Sequence, residues 1–200
     1  MKRRKAIQRF AQGIGIGSLL PSVSLGINGI NDMIQPHENR IKHSVCRWCY
    51  DDIPLEEFCE AAQDLGIQSI ELTTPEQWPI LQKYKLTCAM GTHGEVSLTE
   101  GFNHTENHPL LHRQYLKLID QAADAGLSNV IVFSGNRKGL SEEEGLENSA
   151  KGLQKVVRHA QKRGITIMME IIKSKIAQQG YQCDNTTWGV AIAEKIGLDT

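Results

Sequence analysis

From Ile41 onward the chain alternates brief apolar runs with longer stretches in which apolar residues recur every three or four positions. Short strands followed by amphipathic helices leave this signature, and its repetition predicts βα units around a parallel sheet. Strands are expected over 41–46, 68–72, 86–90, 129–133 and 165–169, each apolar enough to be buried on both faces. Between them, Leu55, Phe58, Cys59, Ala62 and Leu65 share one helical face that ends at Gly66. Leu111, Tyr115, Leu118, Ile119 and Ala122 repeat the device up to Gly126. A further face runs through Leu146, Ala150, Leu153, Val156, Val157 and Ala160, closed by Lys162, Arg163 and Gly164. Pro75 suits the first turn of another helix over 76–84, where its missing N–H costs nothing.

The period of these units bears on two architectures. From Ile41 to Ile165 the spacing is about 31 residues per unit, and eight such units make roughly the 250 residues of a (β/α)8 barrel. Residues 41–200 hold about five units, the fifth ending near Ile196. The expected class is α/β, and a TIM barrel would be represented here by only about five of its units, some three short of closure. An open doubly wound sheet is the alternative, but no G-x-G-x-x-G follows the first strand to cradle a dinucleotide.

Charge refines the picture at the amino end. The whole chain carries a net charge of −1, so no summed field attracts a polyanion, and nucleic acid is not an expected partner. Residues 1–26, however, hold Lys2, Arg3, Arg4, Lys5 and Arg9 and no acid. This basic start leads into a glycine-softened apolar run from Phe10 to Pro21 that is too short to span a bilayer as a helix. Residues 1–26 read as an export signal resembling a twin-arginine leader, with a basic amphipathic tail as the plainer alternative. A periplasmic or exported location follows, without a stable membrane anchor, and 27–40 read as a linker.

Five cysteines follow the leader, an odd number that cannot all pair within the chain. Cys46-Arg-Trp-Cys49 has the spacing of a redox pair or half a zinc site, with no second such motif to complete four ligands. The simpler reading makes Cys46, Cys59 and Cys88 small buried hydrophobes.

In a parallel barrel the functional groups gather at the carboxyl ends of the strands. That position nominates Arg47 and Trp48, Glu71, Thr92 and His93, the run from Ser134 to Arg137, and Glu170. Glu170 is the sharpest candidate, because it ends Ile165-Thr-Ile-Met-Met, an apolar run with no structural use for a carboxylate unless a cation pairs with it. His93 lies between Gly91 and Gly94, where the backbone can approach a ligand closely, although a hydrogen-bonded loop histidine is the commoner occupant. Asn136 and Arg137 offer donors for a polyol or a carboxylate. His43, alternating inside the first strand, is expected to be a core polar group.

Several of these residues form motifs that, in order, resemble a known family. Ser44-Val-Cys-Arg-Trp-Cys-Tyr50, Glu71 with Pro75-Glu-Gln-Trp-Pro79, Gly101-Phe-Asn103 with Glu106-Asn-His108, Phe133-Ser-Gly-Asn-Arg137, Met169-Glu170, Tyr181-Gln-Cys-Asp184 and Trp188-Gly189 are similar to exported hydroxypyruvate isomerases. These belong to the xylose-isomerase-like sugar isomerase and epimerase barrels, and the similarity runs from about Ile41 to Gly197. The resemblance implies a barrel whose mouth holds a divalent metal, magnesium or manganese, with Glu170 as metal ligand and as one of two glutamates that move a proton. It implies a small hydroxy-carbonyl or sugar substrate and a conversion of hydroxypyruvate to tartronate semialdehyde, while the residues nominated by position and donors to contact that substrate are His93, Asn136 and Arg137. A sugar or inosose epimerase, or a non-catalytic carbohydrate-binding remnant, are the alternatives.

The sequence departs from the family in carrying Lys173 where Asn is usual and Ala177-Gln178 where Asp-His is usual. The family's second glutamate and its later histidines are expected beyond Thr200, so these 200 residues alone are expected to be inactive. With strands at 41–46 and 165–169 left as edges, they are expected to associate with a second copy or to pack loosely.

Overall fold

The computed structural model describes residues 41–197 except Val96, Lys175, Ala177 and Gln178; the leader and linker expected over 1–40 lie outside the described residues. Strands β1 (Ser44–Cys46) and β2 (Ser69–Glu71) pair in parallel, and so do β3 (Asn129–Val132) and β4 (Thr166–Met169). The expected strand at 86–90 is reduced to single bridges, yet it joins the two halves. Thr87 bridges Ser69, and Gly91 bridges both Thr73 and Val130, all in parallel. Backbone bonds from Ile70 N–H to the Thr87 carbonyl (3.0 Å) and from Gly91 N–H to the Asn129 carbonyl (2.9 Å) carry the ladder across. The order is thus β1, β2, the segment at Thr87 to Gly91, β3, β4.

Each strand segment is followed by a helix: α1 (Leu55–Asp64), α2 (Trp78–Lys83), α3 (His108–Asp124), α4 (Glu142–Arg163) and α5 (Thr186–Ile196). These are the five βα units that the spacing predicts. The core forms where apolar helix faces meet the strands. Leu111, Tyr115, Leu118, Ile119 and Ala122 of α3 and Leu153, Val156 and Ala160 of α4 are buried with Ile70, Val130 and Val132. α4 starts with a capping box, in which Ser141 Oγ accepts from the Glu144 N–H and the Glu144 carboxylate accepts from the Ser141 N–H. It ends on Gly164 in the left-handed conformation, φ 70°.

Four local expectations are corrected. β1 and β4 are half open rather than buried on both faces, because among the described residues each is paired on one side only. His43 is exposed, since β1 begins one residue later and only its carbonyl is used, accepting from Gln68 N–H at 3.2 Å. Leu65 is 77% exposed, because it caps α1 after the buried face has ended. α2 begins at Trp78 with Pro79 in its first turn, while Pro75 belongs to the preceding turn. There the Gln77 side chain accepts from Thr74 N–H and the Trp78 indole donates to the Thr73 carbonyl.

No helix among the described residues is long and apolar enough to cross a membrane.

Candidate functional site

The parallel register sets Cys46 opposite Glu71 at the ends of β1 and β2. Glu170 immediately follows β4, where its N–H donates to the Val132 carbonyl at the end of β3 (3.0 Å). Both carboxylates therefore stand at the carboxyl ends of the strands, where such folds carry their chemistry. Glu170 is half-buried. Burial raises its proton affinity above the ordinary carboxylate value, and the negative charge of Glu71 raises it further. None of the ion pairs among the described residues uses Glu170.

What fixes Glu170 in place is a contact that sequence reasoning missed. Tyr181, fully buried, donates its hydroxyl proton to the Glu170 carbonyl (3.3 Å) and accepts from the Ser134 N–H (3.0 Å), tying the ends of β3 and β4 together. Around it Gln182 N–H donates to the Gly135 carbonyl and Cys183 N–H to Ser134 Oγ, so the 181–183 segment runs along the loop after β3. Burial pushes the Tyr181 phenol well above its usual value, so it stays a neutral donor at physiological pH. The only sequence sign of this role is that Tyr181 belongs to a motif of the resembled family.

Asn136 and Arg137 lie on that same loop. The Asn136 carbonyl accepts from Asn103 Nδ2 (2.7 Å), while its side-chain oxygen is buried without a partner. Arg137 grips the protein's own carboxylates, Glu142 at 3.0 Å and Asp184 at 3.3 Å, so its fork is engaged within the chain. The loop packs against Gly101-Phe-Asn103 without room for a side chain: a Cβ on Gly101 would stand 2.2 Å from the Gly135 nitrogen.

His93 is not brought to Glu170's partners. It stands edge-on to Tyr115, with ring centroids 5.2 Å apart, and lines a separate cavity of about 320 Å³ with Glu76, Glu95, Gln114 and Lys117. Its Nε2 is buried and unpartnered, and burial lowers its pKa, which favours the neutral ring. Lys173 is exposed.

Residues 24–199 match the family model described as a xylose isomerase-like TIM barrel. The chain belongs to this xylose isomerase-like family. Its five described units are a partial barrel of that type. Among solved structures, an AP endonuclease family 2 protein from Brucella melitensis is similar with a TM-score of 0.65 at 13% identity, over 78% of this chain and 65% of that one. A D-psicose 3-epimerase from Clostridium cellulolyticum H10, solved with D-tagatose, gives 0.62 at 13% identity over 78% and 60%. The IolI protein, solved with a bound zinc atom, gives 0.62 at 11% identity over 79% and 60%. The xylose isomerase-like chain thus spans less than two thirds of the length of these structures, and at such identities the likeness is one of fold. No protein of curated function matches the sequence.

A metal centre is not complete here. Among the described residues no three His, Cys, Asp or Glu side chains come together as ligands. Glu170 has Glu71 for an electrostatic neighbour, and the pair does not amount to the set of oxygen ligands that magnesium or manganese takes.

Proposed function

We propose that this chain carries the proton-transfer carboxylate of an isomerase or epimerase acting on a small hydroxy-carbonyl compound or sugar. Glu170 exchanges a proton with the carbon beside the carbonyl; in an isomerase a proton is then delivered to the former carbonyl carbon, and in an epimerase to the same carbon from its opposite face. The observation that supports this is its raised proton affinity at a strand end, caused by burial and Glu71. A carboxyl poised above its usual range exchanges protons with a substrate more readily near neutral pH. Hydroxypyruvate is the specific substrate proposed, on the motifs from Ser44 to Gly189. An epimerase of ketosugars is the second reading, favoured by the fold likeness to D-psicose 3-epimerase and L-ribulose 3-epimerase. Magnesium or manganese belongs to the proposal through the resemblance, with Glu170 the residue here that matches a ligand. Export through residues 1–26 and self-association through the half-open β1 and β4 are part of the same proposal.

Solvent hydrogen exchange tests it with one base, before any net conversion. The chain is incubated in deuterated water with hydroxypyruvate or a ketohexose, and the carbon-bound hydrogens beside the carbonyl are followed by NMR. Exchange in hydroxypyruvate above buffer, lowered roughly 10²- to 10⁴-fold by Glu170→Gln, supports the proposal. Exchange confined to the ketohexose favours the epimerase, and none in either compound favours a non-catalytic remnant.

A further inference from the structure

Proton transfer makes no use of Cys46 and Cys49. Cys46 ends β1 and caps a four-residue 3₁₀ helix, Arg47–Tyr50. Cys46 itself keeps extended backbone (φ −81°, ψ 126°), and the chain turns directly after it through Arg47 and Trp48 to Cys49. Cys49 is near enough to Cys46 to raise the proton affinity of its thiol. A four-residue turn brings its end Cα atoms within about 7 Å, which overlaps the roughly 4.4–6.8 Å that a disulfide spans.

The turn is also clamped. The Arg47 guanidinium donates to the carbonyls of Tyr50 and of Ile53 (3.0 Å) and lies 5.6 Å from the centre of the Phe58 ring. All five described cysteines are free thiols, but they are not equivalent. Cys59, Cys88 and Cys183 are buried, Cys46 is half-buried, and Cys49 is exposed. Cys49 is the sulfur that a solvent-borne reagent meets first.

We propose that Cys46 and Cys49 form a reversible dithiol–disulfide site at the strand ends, closed by exchange with a small disulfide oxidant. The Cys49 thiolate attacks one sulfur of the oxidant, breaking its S–S bond and releasing one thiolate. Cys46 then loses its proton and attacks Cys49 Sγ, and the mixed disulfide breaks to release the second thiolate. Two protein thiols give up two electrons and two protons, and the oxidant leaves as two thiols. Burial, Cys49 and Glu71 hold the Cys46 thiol up to about 11, which makes its attack the slower step at neutral pH. This site goes beyond the proton-transfer reading, and its test does not depend on catalysis.

The full chain is equilibrated in glutathione buffers of graded redox poise, quenched by alkylation, digested and mapped by mass spectrometry. The expected result is paired loss of alkylation at Cys46 and Cys49 in a single peptide with an intramolecular disulfide, restored by dithiothreitol. Cys49→Ser removes the protection of Cys46, and Cys183→Ser leaves it unchanged. Alkylation of both cysteines across the whole range, glutathione trapped on Cys49 without closure, or a bond from either to Cys59, Cys88 or Cys183 would overturn the proposal.

Discussion

Glu71 and Glu170, on strands separated by two other segments of the sheet, share the strand-end surface closely enough that the charge of Glu71 raises the proton affinity of Glu170. Burial contributes the larger part of the same shift. Ionising Glu170 therefore costs the folded chain something that the unfolded chain does not bear. The sign follows: because its folded pKa lies above the unfolded value, its contribution to stability is fully present below the unfolded value near pH 4.3 and is lost as pH rises through the folded one. Polar strand ends that lower stability in this way are the places where a fold stores chemistry.

Tyr181→Phe removes the one hydroxyl that bonds both Ser134 and Glu170. Its loss leaves the buried Ser134 N–H unpaired, a cost of about 1–3 kcal/mol. Chemical denaturation of the two proteins should show this destabilisation, and equal stability would mean that the bridge is not formed in solution.

Gly101→Ala should be more damaging than its size suggests. The new methyl would meet the backbone of Ser134 and Gly135, which cannot rotate away as a side chain can. Overpacking of this kind costs about 1–3 kcal/mol or more. The matched control is Gly94→Ala, where the space around a Cβ is open. Thermal melts should separate the two variants clearly; equal melts would contradict the close approach.

His93 and His108 are both pushed below the ordinary histidine range, chiefly by burial. The unfolded chain takes up protons near pH 6.5 before the folded chain does, so the stability they contribute is present above that value and is lost as pH falls through their folded pKa values. His93→Gln should flatten part of this decline. Parallel stability profiles of variant and parent between pH 7 and 5 would show that His93 does not titrate this way.

If the Arg3-Arg4 pair directs export, replacing both with lysine should keep the protein in the cytoplasm. Fractionation of expressing cells reads this directly, and a shortened product still reaching the periplasm would exclude the twin-arginine route.

The periodic parts of the chain were legible because burial imposes the period. The faces from Leu111 to Ala122 and from Ala150 to Ala160 are buried as their three- and four-residue spacing requires. Glu170 was legible for the opposite reason, as a charge at the end of an apolar run. The supports of the site were not. Tyr181 reaches Ser134 through an irregular segment, and loops have no hydrophobic period to betray which backbone groups they bond. Arg137 shows a related limit: the sequence displays its donors but not that its two terminal nitrogens pair with Glu142 and Asp184 of the chain itself. Pro75 and Pro79 both suit a helix start, and only the turn closed by Gln77 and Thr74 decides between them.

The most direct test of the account is the titration of the Glu170 carboxyl, followed by carbon-13 NMR in the parent chain and in Glu71→Gln. Glu170 is expected to titrate above the ordinary glutamate value and to move downward, without reaching that value, when the charge of residue 71 is removed, since burial remains. Titration at the ordinary value in the parent, or no response to Glu71→Gln, would contradict the claim that burial and the charge of Glu71 together raise the proton affinity of Glu170.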